Sequence, residues 1–479
     1  MRTSSYIRWV SVLHLWLGTL VAAHATHILG GEIMYIPITS TTTGILRYHI
    51  TTILYRDTSP GAAQQPSVRL AFTRDGCDFT AGSFTTLVSL TSTVATYSLG
   101  CATAPLYPYA VERYETDVDL PAGRWLISTY EANRAAGIIN VPASVTTTFY
   151  TSSYLDNSIV GQNSSPKFLS TLLPYLCNSQ AQRYSFSAFD LEGDSLVYQF
   201  RQPEEAVQPV GSCGIPIPGG LLSPHFQLNA ATGALTTLPA PVQQGLYTMA
   251  ARVNEYRRVN GSWQLIGYVT RDIAYLAYSS TNQTPRFTSL TANNSATTQP
   301  LNQLIAVQPG QTVTLALTAA DPDGQTLRFA SQAPDVVPGL SLQTTGATTA
   351  KLTWQVPVGL PPGRYTTTVA VLDNGCPNAS EEQTFSFLVA TPRPLASRTS
   401  DKSTTTAYPM PFREQVQFQA LAGAQAVTIV DALGRTVAHL TSQADGRVVW
   451  QPAATLPAGL YLARGADGRL LARLLRAGN

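Results

Sequence analysis

The chain has 479 residues, with 30 basic and 28 acidic side chains, 34 glycines and 32 prolines. Near-neutral charge, with only 12% of residues charged, argues against a nucleic-acid partner. A chain this long and rich in Thr, Ser, Gly and Pro is too large for one core, so an all-β extracellular protein made of several β-sandwiches in a row is expected.

The N-terminus reads as a signal peptide over residues 1–25. Arg2 and Arg8 give a positive start, Trp9 to Ala22 is a short apolar run, and Ala23-His24-Ala25 is a small-x-small cleavage site. No other segment offers the roughly 20 clean apolar residues of a membrane span, so no transmembrane anchor is expected. Residues 1–25 hold two of the 30 basic residues and no acid, which leaves 28 basic against 28 acidic in the mature chain from Thr26.

The first module is expected over 26–169. It opens Thr26-His27-Ile28-Leu29-Gly30-Gly31-Glu32-Ile33 and continues through the alternating strand Leu46 to Asp57, which ends Tyr55-Arg56-Asp57. Leu120-Pro121-Ala122-Gly123-Arg124-Trp125 follows, and Asn163-Ser164-Ser165-Pro166-Lys167-Phe168 closes the region. These segments resemble the N-terminal region of large Bacteroidota surface proteins associated with gliding motility, which share an H-I-x-G-G-E start and a Y-R-D strand end. Thr58 and Glu131-Ala132-Asn133-Arg134 stand where that group carries cysteines, so part of its covalent framework is missing here. His27 and Glu32 make at most a metal pair, which is not a site, and such residues far more often simply cap the first strand of a sandwich.

Five cysteines fit an exported protein. Sequence order pairs Cys77 with Cys101 and Cys177 with Cys213, each worth roughly 3–4 kcal/mol by chain entropy, and leaves Cys376 over. A zinc site is the rival reading, but no C-x-x-C occurs and the histidines lack ligand spacing.

A second module (170–280) and a third (281–390) read as a diverged internal repeat: strand, acidic turn, strand, then a G-x-Y strand. The turns are Asp190-Leu191-Glu192-Gly193-Asp194 and Asp321-Pro322-Asp323-Gly324-Gln325, and the late strands begin Gly245-Leu246-Tyr247 and Gly363-Arg364-Tyr365. The order is similar to bacterial cadherin-like and immunoglobulin-like repeats. Asp190, Glu192 and Asp194 are candidate ligands for a structural calcium ion, with Asp321 and Asp323 a weaker copy, because hard cations take six to eight oxygens from such clusters. Glu204, Glu205 and Asp373 are candidate distant ligands. A solvated Asp-Gly turn explains the same residues without metal. No other cofactor is implied.

Thr281 to Phe287 reads as an extended joint, and 391–406 as a tether. The last stretch, 407–479, combines Pro409 and Pro411 with Phe412, then Asp431, Gly434 and Arg435 in a D-x-x-G-R hairpin, then Gly459 and Tyr461 in an L-x-x-G-x-Y strand. It resembles the type A C-terminal sorting domain of the type IX secretion system, with Met410 where Asn is more usual. The resemblance implies export to the medium or outer cell surface through the periplasm, with the secretion machinery as partner and those eight residues as the signal.

No nucleophile elbow, zinc helix, phosphate loop or dinucleotide fingerprint occurs. The reading is therefore a non-enzymatic adhesion or surface-matrix protein with an unknown surface, glycan or protein ligand. One alternative is a carbohydrate-binding protein, which would set Tyr107, Tyr109, Tyr114, Trp125 or Trp263 on one flat face. The other is a glycan-acting hydrolase with convergent acids in a deep cleft.

Overall fold

The computed structural model describes residues 27–40, 44–59, 62–75, 82–96, 108–170, 173–177, 179–207, 215–238, 241, 243–390 and 407–478. The signal-peptide segment, the 391–406 tether, Tyr107, Cys77, Cys101 and Cys213 lie outside them. The protein is all-β and divides into two compact units, one up to residue 391 and one from residue 392.

The first seven strands are β1 (Ile28–Ile38), β2 (Leu46–Asp57), β3 (Ser67–Arg74), β4 (Phe84–Thr96), β5 (Tyr109–Leu120), β6 (Arg124–Glu131) and β7 (Phe149–Asp156). Short strands follow: β8 (Lys167–Phe168), β9 (Tyr175–Cys177), β10 (Arg183–Ser185), β11 (Ala188–Phe189), β12 (Ser195–Arg201), β13 (Glu204–Val207), β14 (Ile215–Pro218), β15 (Phe226–Leu228) and β16 (Ala234–Thr237). A long hairpin, β17 (Gly245–Val259) and β18 (Ser262–Tyr278), ends the region.

The expected boundary at 169/170 does not separate two sheets. One sheet runs β1-β2-β5-β4-β3-β6-β7-β18-β17-β12, and β18 also pairs with β1, so eight strands close into a ring. Closure depends on small residues: a Cβ on Gly30 would lie 2.2 Å from the Asp272 carbonyl oxygen, and one on Gly31 would lie 2.6 Å from that of Ile53. The Gly-Gly pair of the opening motif thus lets β1 pass between β2 and β18.

Strand alternation then supplies two cores. Ile28, Leu54, Tyr114 and Trp125 pack in one cluster, while their chain neighbours Leu29, Ile53 and Tyr55 pack in a second with Tyr184, Phe226 and Val253. Where the ring closes, polar groups are buried and paired, Arg271 with Glu32 and the Ser170 carbonyl and Arg134 with Asp272 at 2.7 Å, and between β2 and β5 Arg56 pairs with Glu112 at 2.6 Å. Such pairs tolerate burial because each charge is matched and hydrogen-bonded. Glu32 and Arg56 of the opening motifs are accordingly structural.

Strands β19 (Arg286–Ala292), β20 (Leu304–Val307), β21 (Thr312–Ala320), β22 (Arg328–Ala330), β23 (Leu340–Gly346), β24 (Thr349–Gln355), β25 (Gly363–Leu372) and β26 (Ser380–Val389) form two four-stranded sheets, β19-β21-β24-β23 and β20-β26-β25-β22. Trp354, Phe385 and Phe387 fill the layer between them.

The second unit holds β27 (Val416–Gln419), β28 (Ala426–Asp431), β29 (Thr436–Thr441), β30 (Arg447–Trp450), β31 (Gly459–Gly465) and β32 (Leu470–Arg476). They pair as β27-β30 and β29-β28-β31-β32 around Phe412, Trp450 and Tyr461. Asp431 accepts from the Leu433 and Arg435 amides and, at 2.8 Å, from Arg435 Nε, while Gly434 takes the positive φ of 84° that the hairpin needs.

One corner recurs in both units. Tyr247, Tyr365 and Tyr461 each donate their hydroxyl to the carbonyl four residues back, on Gln243, Pro361 and Pro457, at 3.0, 2.8 and 2.6 Å. Trp125 Nε1 does the same to Pro121 at 2.9 Å. The G-x-aromatic repeat is therefore a strand-entry device in which a side chain ties down the turn that feeds its own strand.

Sequence order does not give the state of Cys177. Cys177 is a free, buried thiol, its Sγ 3.7 Å from the Ser280 carbonyl, so the expected Cys177–Cys213 bond is absent. The cause is placement: β9 runs parallel to the end of β18, Cys177 opposite Tyr278, which seats the thiol beside Ser280. Cys376, the residue that pairing left over, is not among the free thiols.

Candidate cation site

The first acidic turn lies between β11 and β12. Gly193 allows the bend, with φ at +78°, and packs so closely on the third module that a Cβ there would meet Tyr365 Oη at 2.6 Å. Asp190 Oδ1 accepts from the Asp194 amide at 2.8 Å, which turns both carboxylates to the same side. They meet a third acid there, Glu255 of β17, and one oxygen from each of the three lies within 4.8 Å of the others.

Glu192, the middle acid of the motif, is not in this group, since its Oε1 accepts from Ser164 N and Oγ at 3.2 and 2.8 Å. Glu255 replaces it. The sequence carried one signal for Glu255: it shares the inward parity of Met249, Ala251 and Val253 on β17, where an acid is out of place unless it has a partner. Room for it comes from Gly267, where a Cβ would lie 2.4 Å from Glu255 Oε2.

The group is buried and short of positive charge. Glu255 is 0% exposed and Asp190 3%. Arg257 is the cation in contact, gripping Asp194 through Nε at 2.7 Å and Nη2 at 2.5 Å. Asn163 bridges the pair, donating to Glu255 at 2.8 Å and accepting from Arg257 at 2.6 Å. Asp190 Oδ2 and Glu255 Oε2 have no hydrogen-bond partner. Burial first, then the neighbouring Asp194 and Glu192 against the opposing Asp194 amide, pushes the Asp190 carboxyl up to about 7. Burial followed by Asp190 and Asp194 drives Glu255 well above the usual carboxylate range.

Three carboxylates against one guanidinium, with two buried oxygens lacking donors, fit a hard divalent cation. Protons are the competitor for the same oxygens. A cleft of about 510 Å³ lined by Gly193, Asp194, Arg364 and Trp263 reaches the group at its Asp194 edge.

The second acidic turn is built differently. Asp321 Oδ1 accepts from the Asp323 and Gln325 amides, and Asp323 binds Gln283 N and Nε2 at 2.7 and 2.8 Å. Gln325 then holds Asn282, which also donates to Asp373. This turn closes the 281–284 joint onto the third module, and among the described residues it gathers no third acid. Of the candidate distant ligands, Glu204 faces Arg201 at 3.3 Å and Asp373 faces Asn282, so neither joins the first group.

The flat aromatic face is not formed: Tyr109, Tyr114 and Trp125 are core residues, and only Trp263, 63% exposed, projects to solvent among those described. Among the described residues no helix is long and apolar enough to cross a membrane.

No family model and no curated protein matches the chain. Solved structures similar to it include the N-terminal eight Ig domains of Down Syndrome Cell Adhesion Molecule, at 12% identity over 94% of this chain and 50% of that one, with a TM-score of 0.17. Protocadherin Gamma B2 extracellular cadherin domains 1-5 align at 11% identity over 91% and 87%, also at 0.17. A nucleoside hydrolase-related hypothetical protein from Saccharophagus degradans, associated with carbohydrate metabolism, aligns at 22% identity over 23% of this chain and 26% of that one, at 0.18. The chain thus spans 26% and 50% of the first two structures it matches. The architecture itself rests on this chain's own strand pairings: the protein is all-β and built of β-modules in tandem.

Proposed function

We propose that this chain is a non-enzymatic surface protein exported through the type IX secretion system, working in adhesion or surface-matrix contact. The observation that supports the route is that residues 407–478 make a compact unit with a core of their own, in which the motif residues Phe412 and Tyr461 pack while Asp431 and Gly434 shape one hairpin turn. A tail of that kind can be recognised apart from its cargo. The test is fractionation of the native organism with a tag before Thr391, comparing the full chain with one ending at Thr406. The truncated chain is expected to stop in the periplasm while the full chain reaches the surface or medium; equal export of both refutes the route.

Within the cargo, Asp190, Asp194 and Glu255 hold a structural calcium ion that neutralises the buried acids, with Asp321 and Asp323 left to the joint. Calorimetric titration of the mature chain, previously dialysed against chelator, is expected to show one site that Glu255→Gln removes. No heat of binding at millimolar calcium refutes this part.

A further inference from the structure

A second concave site lies away from the acidic group. It is a cleft of about 750 Å³ between the outer face of the β22-β25-β26 sheet and the segments around β9, β10 and β15. Register puts its floor on one face: Arg328 lies opposite Leu372, Ala330 opposite Ala370, and Ala370 opposite Glu382. The two alanines keep that floor low, so a ligand can lie against the strands themselves.

The facing wall carries Tyr175, Tyr184 and Phe226, aromatic groups suited to the C–H face of a ring. The polar groups have unmet capacity of two kinds. Asn378 lines the cleft with a half-buried side-chain amide whose Oδ1 has no donor, so a modest turn of that side chain offers an amide to a ligand hydroxyl. Arg328 is exposed and has no ion-pair partner among the described residues, whereas Arg183 across the cleft is already held by Glu381 and Gln383. The Glu382 carboxyl accepts from the Ser185 amide at 3.0 Å. Burial pushes it up to about 7, so near neutrality it carries only part of a full charge, and the other carboxylate of the lining, Asp373, is held by Asn282 and by the Gly375 and Ala379 amides.

From this juxtaposition we infer that the cleft binds an acidic oligosaccharide of the uronate class, its carboxylate on Arg328, a hydroxyl on Asn378 and its apolar ring face on the tyrosine wall. Guanidinium and carboxylate pair strongly, and a mostly apolar cleft with a few convergent polar groups is the ordinary form of a small-ligand site. The site is independent of both the export route and the calcium site.

The test is calorimetry on the mature chain with a linear tetrauronate and with a neutral linear tetrasaccharide, in the presence of chelator so that calcium bridging plays no part. Wild type is expected to bind the tetrauronate at least tenfold more tightly than the neutral probe. Arg328→Gln, a surface change that leaves the fold intact, is expected to erase that preference, and Ala370→Phe to block both ligands while the unfolding midpoint holds. Failure of the wild type to bind tetrauronate at millimolar concentration overturns the inference. So does equal affinity for the neutral probe, or tetrauronate binding unchanged in both variants.

Discussion

Replacing Asp190 by Asn tests the electrostatics of the acidic group directly, because Asn keeps the shape and the acceptor for the Asp194 amide while removing one charge. The Asp190 carboxyl is raised from 3.8 to about 7, and at about 1.4 kcal/mol per unit this displacement is worth on the order of 4 kcal/mol. The sign follows from linkage. A carboxyl with a raised native pKa holds a proton in the folded state that the unfolded chain has released, so stability is greatest below about 4, declines as pH rises, and levels off above about 7. In chelator, wild type should therefore lose stability relative to Asp190→Asn between pH 4 and 8, by up to about 4 kcal/mol. Glu131 and Glu382, also pushed up to about 7, tilt the same profile but are common to both proteins and cancel in the difference, whereas Glu255, which the Asp190 charge helps to raise, is relieved in the variant and adds to the difference in the same direction. Saturating calcium at pH 7.5 should reverse the order, stabilising wild type and leaving the variant unchanged. The assay is urea unfolding followed by near-ultraviolet circular dichroism at each pH. A wild-type-minus-variant difference that stays flat from pH 4 to 8 refutes the reasoning.

Gly30→Ala should destabilise the first unit by roughly 2–4 kcal/mol, since its Cβ would overlap the Asp272 carbonyl at 2.2 Å; the same unfolding assay reads it, and a loss below half a kcal/mol shows that β1 and β18 do not close as described. Glu32→Gln leaves the Arg271 guanidinium buried without its counter-charge and should cost about 3–5 kcal/mol in that assay. Tyr365→Phe and Tyr461→Phe each remove one hydrogen bond and should lower stability by about 1 kcal/mol in their own units. If the corner is a folding device, the second of these also weakens export of the chain in the fractionation test.

The local grammar of this protein is written in its sequence. Alternation set the strands such as Leu46–Asp57, Gly and Asp set turns such as Asp431–Arg435, and the G-x-aromatic repeat marked four strand entries, because each of these depends on residues within a few positions of one another. Two of the three members of the acidic group were legible for the same reason: Asp190 and Asp194 stand in one turn. Glu255 was not, since it reaches them from β17, and Glu192 was diverted by Ser164, a contact that only the folded chain makes. The expected boundary at 169/170 between the first two modules was crossed by a long-range event, the pairing of β18 with both β1 and β7. A strand's sequence specifies which of its faces is apolar but not which distant strand will cover its edge; hydrogen bonding between backbones is nearly blind to residue type. The tertiary structure decided that choice, through two glycines small enough for close approach and through the Arg271–Glu32 pair, 239 residues apart in the chain, that locks it.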